Sequence, residues 1–211
     1  MLPSNDQFQE LLLNYSQETN PEARKKLEDI IWENYGTENT VLALDMFGFS
    51  LLTRKYGIVH YLSMIRRMQL TVEPIINGHG GRVIKFEADN CFALLPNPLS
   101  AARAAITIQH ALAASNLLTA DELDIQVSIG IDYGKMLIVN GEGIFGDAVN
   151  RACKLGEDIG TAGEILITKE AMNLIPEEGA IQGKPIEVSI GGLSTPAFSI
   201  NYPAKAEEEQ Q

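Results

Sequence analysis

The chain has 211 residues, 45% of them hydrophobic, enough to bury one sizeable core and to favour one domain with a small extension. Its 28 acidic residues against 16 basic ones leave a formal charge of -12. That balance excludes a general nucleic-acid or anionic-membrane surface, because both require a basic face that displaces counterions, although a polyphosphate can still bind if divalent cations supply the positive charge.

Residues 5–36 predict two short helices, with an apolar Leu11, Leu12, Leu13 patch, a break at Asn20-Pro21, and Leu27, Ile30, Ile31 and Tyr35 at helical spacing after it. The N-terminus carries no long apolar run behind a basic start, and no window approaches ~18 uninterrupted apolar residues, so a cytoplasmic chain without membrane insertion is expected. From Thr40 a short run rich in strand formers ends at Asp45, followed by a Phe-Gly-Phe-Ser turn. Residues 50–77 read as two consecutive helices divided at Gly57. Arg82 to Phe86 and Cys91 to Leu95 form a hairpin whose turn is Glu87-Ala88-Asp89-Asn90.

An alanine-rich helix over 98–115 precedes a strand from Asp124 to Asp132, a Tyr133-Gly134 turn and a strand from Met136 to Val139. A glycine-rich loop at 141–146, a helix near 147–158, a strand at 164–168 and a hairpin-like pair near 186–201 complete the pattern. The expected architecture is therefore a mixed sheet with helices packed on one side. Cys91 and Cys153 lie in apolar stretches without a spacing that suggests a disulfide or zinc site, and they read as reduced thiols. His60, His79 and His110 show no metal-ligand spacing.

Three segments carry chemistry: LALDMFGFS at 42–50, GGRVIKFEAD at 80–89 and FGDAVNRACKL at 145–155. In order and distance they resemble the motifs of the class III adenylyl and guanylyl (nucleotidyl) cyclase catalytic domain, over about Val41 to Ile200. The resemblance implies an α/β (α+β) fold of the ferredoxin-like cyclase type, with a mixed, mainly antiparallel sheet. It divides the chain into an N-terminal helical extension (1–38), a cyclase domain (39–202) and a disordered acidic tail (203–211). It also implies an activity: ATP is converted to 3′,5′-cyclic AMP and pyrophosphate by two-metal-ion catalysis at a homodimer interface.

By the resemblance, Asp45, Asp89 and the backbone carbonyl of Met46 hold two divalent ions, Mg²⁺ or Mn²⁺. Hard cations of this kind take oxygen ligands, one or two carboxylates plus phosphate oxygens. The amides of Phe47, Gly48 and Phe49, at a helix start, would receive phosphate oxygens of the nucleoside triphosphate. Lys85 stands where the family's adenine-selecting members have lysine, which can donate to adenine N1. Asn150 matches the residue that positions the ribose.

Lys154 replaces the family's arginine at the transferring phosphate, keeping the charge but losing the planar fork of donors. Gly143 stands where adenine enzymes place Asp or Thr, Ala88 replaces the glycine before Asp89, and no phosphate-binding lysine lies among Ser189 to Thr195. The sequence therefore leaves two alternatives open: a cyclase for another base (GTP or a pyrimidine nucleotide), and a catalytically degenerate cyclase-homology module that binds nucleotide or dimerises.

Overall fold

The computed structural model describes residues 5–202, and the expected acidic tail lies outside them. Helices α1 (Asn5–Gln17) and α2 (Pro21–Tyr35) meet at the predicted break, where the Asn20 side chain accepts hydrogen bonds from the N–H groups of Glu22 and Ala23 and Pro21 occupies the first turn. Strand β1 (Gly36–Met46) begins directly after α2, four residues earlier than the apolar run alone suggests. Then follow α3 (Phe49–Tyr56), α4 (Ile58–Gly78), the hairpin of β2 (Arg82–Glu87) and β3 (Asn90–Leu95), and α5 (Pro98–Asn116). The C-terminal half contains β4 (Val127–Val139), β5 (Gly143–Phe145), α6 (Asp147–Cys153), β6 (Ile165–Thr168), a short α7 (Lys169–Met172), β7 (Gln182–Ile190) and β8 (Leu193–Asn201).

Among the described residues eight strands form one sheet in the order β2-β3-β1-β4-β6-β8-β7, with β5 paired to β4. The β4–β6 pair is parallel and the rest are antiparallel. Its first four strands and the helices between them have the ferredoxin-like arrangement, and β6, β8 and β7 extend the sheet beyond β4.

Side chains alternate along β1, so Leu42, Leu44 and Met46 face one layer and Val41 and Ala43 the other. The first face is covered by α4, which buries Tyr61, Met64, Ile65, Met68, Val72 and Ile76 at helical spacing, and by α5, whose buried alanines let its backbone come close. At roughly 1.5–3 kcal/mol per fully buried large apolar side chain, this layer is the main source of stability. The expected one-sided helical layer is α4 and α5. Helix α6 adds cover on the opposite face, where Ala148, Val149 and Ala152 pack with Val41, Ala43 and Met136.

Two sequence expectations need correction. The Tyr133-Gly134 turn does not exist, because β4 runs unbroken for 13 residues and Gly134 pairs with Asn39. The glycine serves close approach instead: a Cβ there would stand 3.2 Å from the Ala148 Cβ of α6. The helix expected over 147–158 is α-helical only to Cys153, and Lys154–Ile159 continues as a π-helical turn. Ser128 Oγ donates to the Gly156 carbonyl at 2.5 Å, and Gly156 sits against Gly130 and the Ala43 carbonyl, which leaves no space for side chains at either glycine.

Candidate active site

Asp45 lies near the C-terminal end of β1, between Asn90 of β3 and Ser128 of β4. Strand alternation turns it to the face that carries α6. Burial first, then the Asp89 carboxylate, then Glu157 and Asp158, push its carboxyl up to about 7. Asp89 occupies the second central position of the β2–β3 turn, and the hydroxyl of Tyr61, a residue with no exposed surface on α4, donates to its Oδ2 at 2.9 Å. Ala88 before it has φ +50°, the left-handed conformation that suits glycine and costs another residue roughly 1–2 kcal/mol. The position where the sequence departs from the family glycine is thus one where the backbone still adopts a glycine conformation.

The donor set suits a hard divalent cation. Two carboxylates that repel one another stand at neighbouring strand ends and offer only oxygen. Among the described residues no group of three or more His, Cys, Asp or Glu side chains converges to hold a metal unaided, so phosphate oxygens would have to complete the shell. Next to the carboxylates, Gly48 with φ +96° starts α3, and no side chain caps this helix. Its first-turn N–H groups are free to meet an anion. The Phe47 amide is different: it donates to the Gln126 carbonyl at 2.9 Å, which ties the loop to the residue before β4. Gly48 and Phe49 are therefore the amides left for a phosphate.

Lys85 follows a bulge between Val83 and Lys85 in the β2–β3 ladder. Its ammonium pairs with Glu87 on the same strand face and lies 5.2 Å from the centre of the Phe92 ring. Lys85 and Gly143 line one cleft of about 170 Å³ between β2 and the β4–β5 hairpin. A Cβ at Gly143 would meet nothing within 4 Å, although its φ of +130° disfavours other residues.

On α6 Asn150 is exposed, and the Lys154 N–H bonds back to its carbonyl, so the two side chains leave the same side of the helix. The Lys154 ammonium pairs with Asp158 one turn on. Beneath them Arg151 donates to the fully buried Asp132 at 2.6 Å and also bonds Asp147. Thr168 donates to the other Asp132 oxygen. This network pins α6 to β4 and β6.

The single chain brings Asp45, Asp89 and the start of α3 together at one end of the sheet, and Lys85 and Gly143 together in a cleft. Three contributors escaped the sequence reading. Tyr61 looks like any core position of an amphipathic helix, and its role depends on a partner 28 residues away. Glu157 and Asp158 reach Asp45 because the π-helical turn redirects the chain, which residue spacing does not announce.

No protein-family model matches the chain. A protein named "Putative adenylate cyclase 3" from Rhizobium meliloti (strain 1021) is 30% identical over 116 residues, 54% of this chain and 19% of that protein. The chain spans between 19% and 38% of the length of the curated relatives it matches. Among solved structures, the adenylyl cyclase CyaB from P. aeruginosa superposes with a TM-score of 0.70 at 19% identity, covering 81% of this chain and 96% of that one. The guanylyl cyclase Cya2 gives a TM-score of 0.70 at 18% identity, over 78% of this chain and 92% of that one. The chain has the fold of the class III nucleotidyl cyclase catalytic domain, one that adenylyl and guanylyl cyclases share. Among the described residues no helix is long and apolar enough to cross a membrane.

Proposed function

We propose that this chain is the catalytic domain of a nucleotidyl cyclase, with ATP the favoured substrate, acting as a homodimer in the cytoplasm. The observation that carries the reading is the convergence of Asp45 and Asp89 beside the uncapped start of α3, which is a cation and polyphosphate arrangement. In the reaction the ribose O3′ bonds to the α-phosphorus, the bond from that phosphorus to the oxygen bridging the β-phosphate breaks, and the hydroxyl proton leaves to solvent. The chemistry that bound Mg²⁺ or Mn²⁺ supplies is activation of the 3′-oxygen and neutralisation of charge on the departing pyrophosphate.

Asp45 and Asp89 hold those ions, with the Met46 carbonyl as a further oxygen ligand. The N–H groups of Gly48 and Phe49 receive phosphate oxygens while Phe47 anchors the loop through Gln126. Lys85 donates to adenine N1, Asn150 orients the ribose, and Lys154 places positive charge at the α-phosphate. As the resemblance implies, Lys85, Asn150 and Lys154 act on the nucleotide held by the partner's aspartates, so the dimer is part of the mechanism. Gly143 and Lys154 favour a second reading, a cyclase for another base or a nucleotide-binding module with little turnover. Gly143 offers no acceptor to the adenine amino group, and the Lys154 ammonium is already paired with Asp158.

Incubating the purified protein with ATP, GTP, CTP and UTP plus Mn²⁺, with product analysis by mass spectrometry, tests the assignment. Cyclic AMP from ATP is expected. A different main product would move the assignment to that base, and no cyclic product from any of the four would overturn the enzyme reading. Co-expressed Asp45→Ala and Asn150→Ala chains should restore one complete site per heterodimer. Failure to do so, with both variants dimeric, would refute the shared site.

A further inference from the structure

Helix α1 is exposed almost throughout, and Phe8 is its one buried residue among those described, 4% exposed. The Phe8 ring stands edge-on to Tyr35 at 4.9 Å and nearly parallel to Phe145 at 6.5 Å, interplanar angle 18°. One turn apart on the same helix, Asn5 Nδ2 and Gln9 Nε2 both donate to the same oxygen of Glu142, at 2.8 and 3.2 Å. Glu142 and Phe145 bracket Gly143. Glu142 lies in the turn between β4 and β5, and Phe145 ends β5, a strand of three residues that pairs with β4 alone. A hairpin that short has few ladder hydrogen bonds and little rigidity of its own. Glu142 and Gly143 both line the 170 Å³ cleft opposite Lys85, so the residue that α1 grips is part of the cleft wall.

We infer that α1 is a brace that sets the position of the β4–β5 hairpin, making Phe8, Gln9 and Glu142 positioning residues for nucleotide recognition in the cleft shared by Lys85 and Gly143. The brace follows from the contacts themselves, while its consequence for the nucleotide rests on the cyclase reading proposed above. Phe8 and Phe145 fix how close the hairpin lies to the helix, and the two amides on Glu142 fix its slide along the helix axis. Loss of either loosens the wall of the cleft opposite Lys85 without touching Asp45 or Asp89.

Two readouts on the full chain test this. Amide hydrogen exchange, measured without nucleotide, should show residues 139–145 exchanging about tenfold faster in Phe8→Ala, with β1 and β3 unchanged. Phe8→Leu, which keeps an apolar side chain under the hairpin, should restore most of the protection, and the surface variant Glu142→Ala should give an intermediate effect should Phe8→Ala fold poorly. In turnover assays with ATP and Mn²⁺ the same variants should raise KM by about three- to tenfold with kcat changed less, because the lost contact orients substrate rather than reacting atoms. Unchanged exchange at 139–145 in both a folded Phe8→Ala and Glu142→Ala overturns the brace whatever the activity. Faster exchange with unchanged KM overturns its role in recognition. If the wild type neither binds nor converts any nucleotide, the cyclase reading and the recognition role fall together, and the exchange result alone decides the brace.

Discussion

At the β2–β3 turn, Asp89 takes a hydrogen bond from Tyr61, a side chain with no exposed surface in the main core. At the β4–β5 hairpin, Glu142 takes two from Asn5 and Gln9, on a helix that is mostly solvated. Both hairpins deliver residues to the candidate site, yet one is anchored from within the core and the other is supported from outside it. An anchor in a close-packed interior holds its partner to a fraction of an ångström, since interiors have few alternative packings. An external support holds only as firmly as its own helix is attached. The Asp89 carboxylate is thus fixed by folding itself, whereas the wall of the Lys85–Gly143 cleft depends on a peripheral element.

The largest expected effect comes from removing the fixed side. Asp45→Ala or Asp89→Ala should lower any cyclase turnover by about 10³-fold or more, because under the proposed reading each deletes a cation ligand at a strand end, while circular dichroism and dimer state stay unchanged. Lys154→Arg works at the start of the π-helical turn that continues α6, outside both hairpins. A guanidinium neutralises charge at the transferring phosphate better than the ammonium it replaces, and a gain of ~1–2 kcal/mol corresponds to about five- to thirtyfold higher kcat with little change in ATP binding. Equal or lower turnover in a folded, dimeric Lys154→Arg protein would show that the lysine is matched to this site.

The anchors themselves can be compared directly. Tyr61→Phe removes a hydrogen bond to a partly buried carboxylate and should cost about 2 kcal/mol in chemical denaturation, with weaker Mn²⁺ binding by calorimetry. Gln9→Ala, on the solvated helix, should change stability by no more than about 0.5 kcal/mol. Similar losses for the two would erase the contrast between the hairpins.

Between those two magnitudes lies an electrostatic effect. Asp45 sits above its unfolded value of 3.8, at about 7, so the folded state holds this proton more tightly than the unfolded chain does. The stability so gained is fully present below about pH 4 and is lost as pH rises to about 7. Asp45→Asn is free of this dependence. In divalent-free buffer it should match the wild type at pH 4 and exceed it by about 1 kcal/mol at pH 8, the full linkage being reduced by solvent screening at a half-buried site. A wild-type advantage at pH 8 without divalent cations would refute the penalty that burial and the neighbouring carboxylates place on the charged Asp45.

Motif order made the candidate residues legible: Asp45, Asp89, Lys85, Asn150 and Lys154 all lie in segments readable before any coordinates. Turn chemistry gave the β2–β3 hairpin. What failed had a common cause. Gly134 was read as a turn because glycine's commonest local use is a turn, while its use here is to admit Ala148 from α6. In the apolar patch at 11–13, Leu12 and Leu13 are exposed, and Phe8 is the residue of α1 that is buried. Ile31 and Tyr35 of the expected α2 face are buried, but Ile30 is 39% exposed. In each case local periodicity was outweighed by a neighbour distant in sequence.

The junction of α2 and β1 has a mechanical consequence. Gly36 follows Tyr35 without a spacer, and its N–H bonds to the Trp32 carbonyl. A Cβ at this position would stand 2.2 Å from that oxygen, so the junction is a closed elbow rather than a hinge. Beyond it β1 is paired along its whole length to β4 and from Thr40 to Asp45 to β3 as well. The elbow and Asp45 lie about 30 Å apart along this one strand at 3.3 Å per residue, held on one flank to Asn39 and on both from Thr40. The N-terminal helices are therefore joined to the carboxylate end of the sheet by one continuous strand with no loop in between.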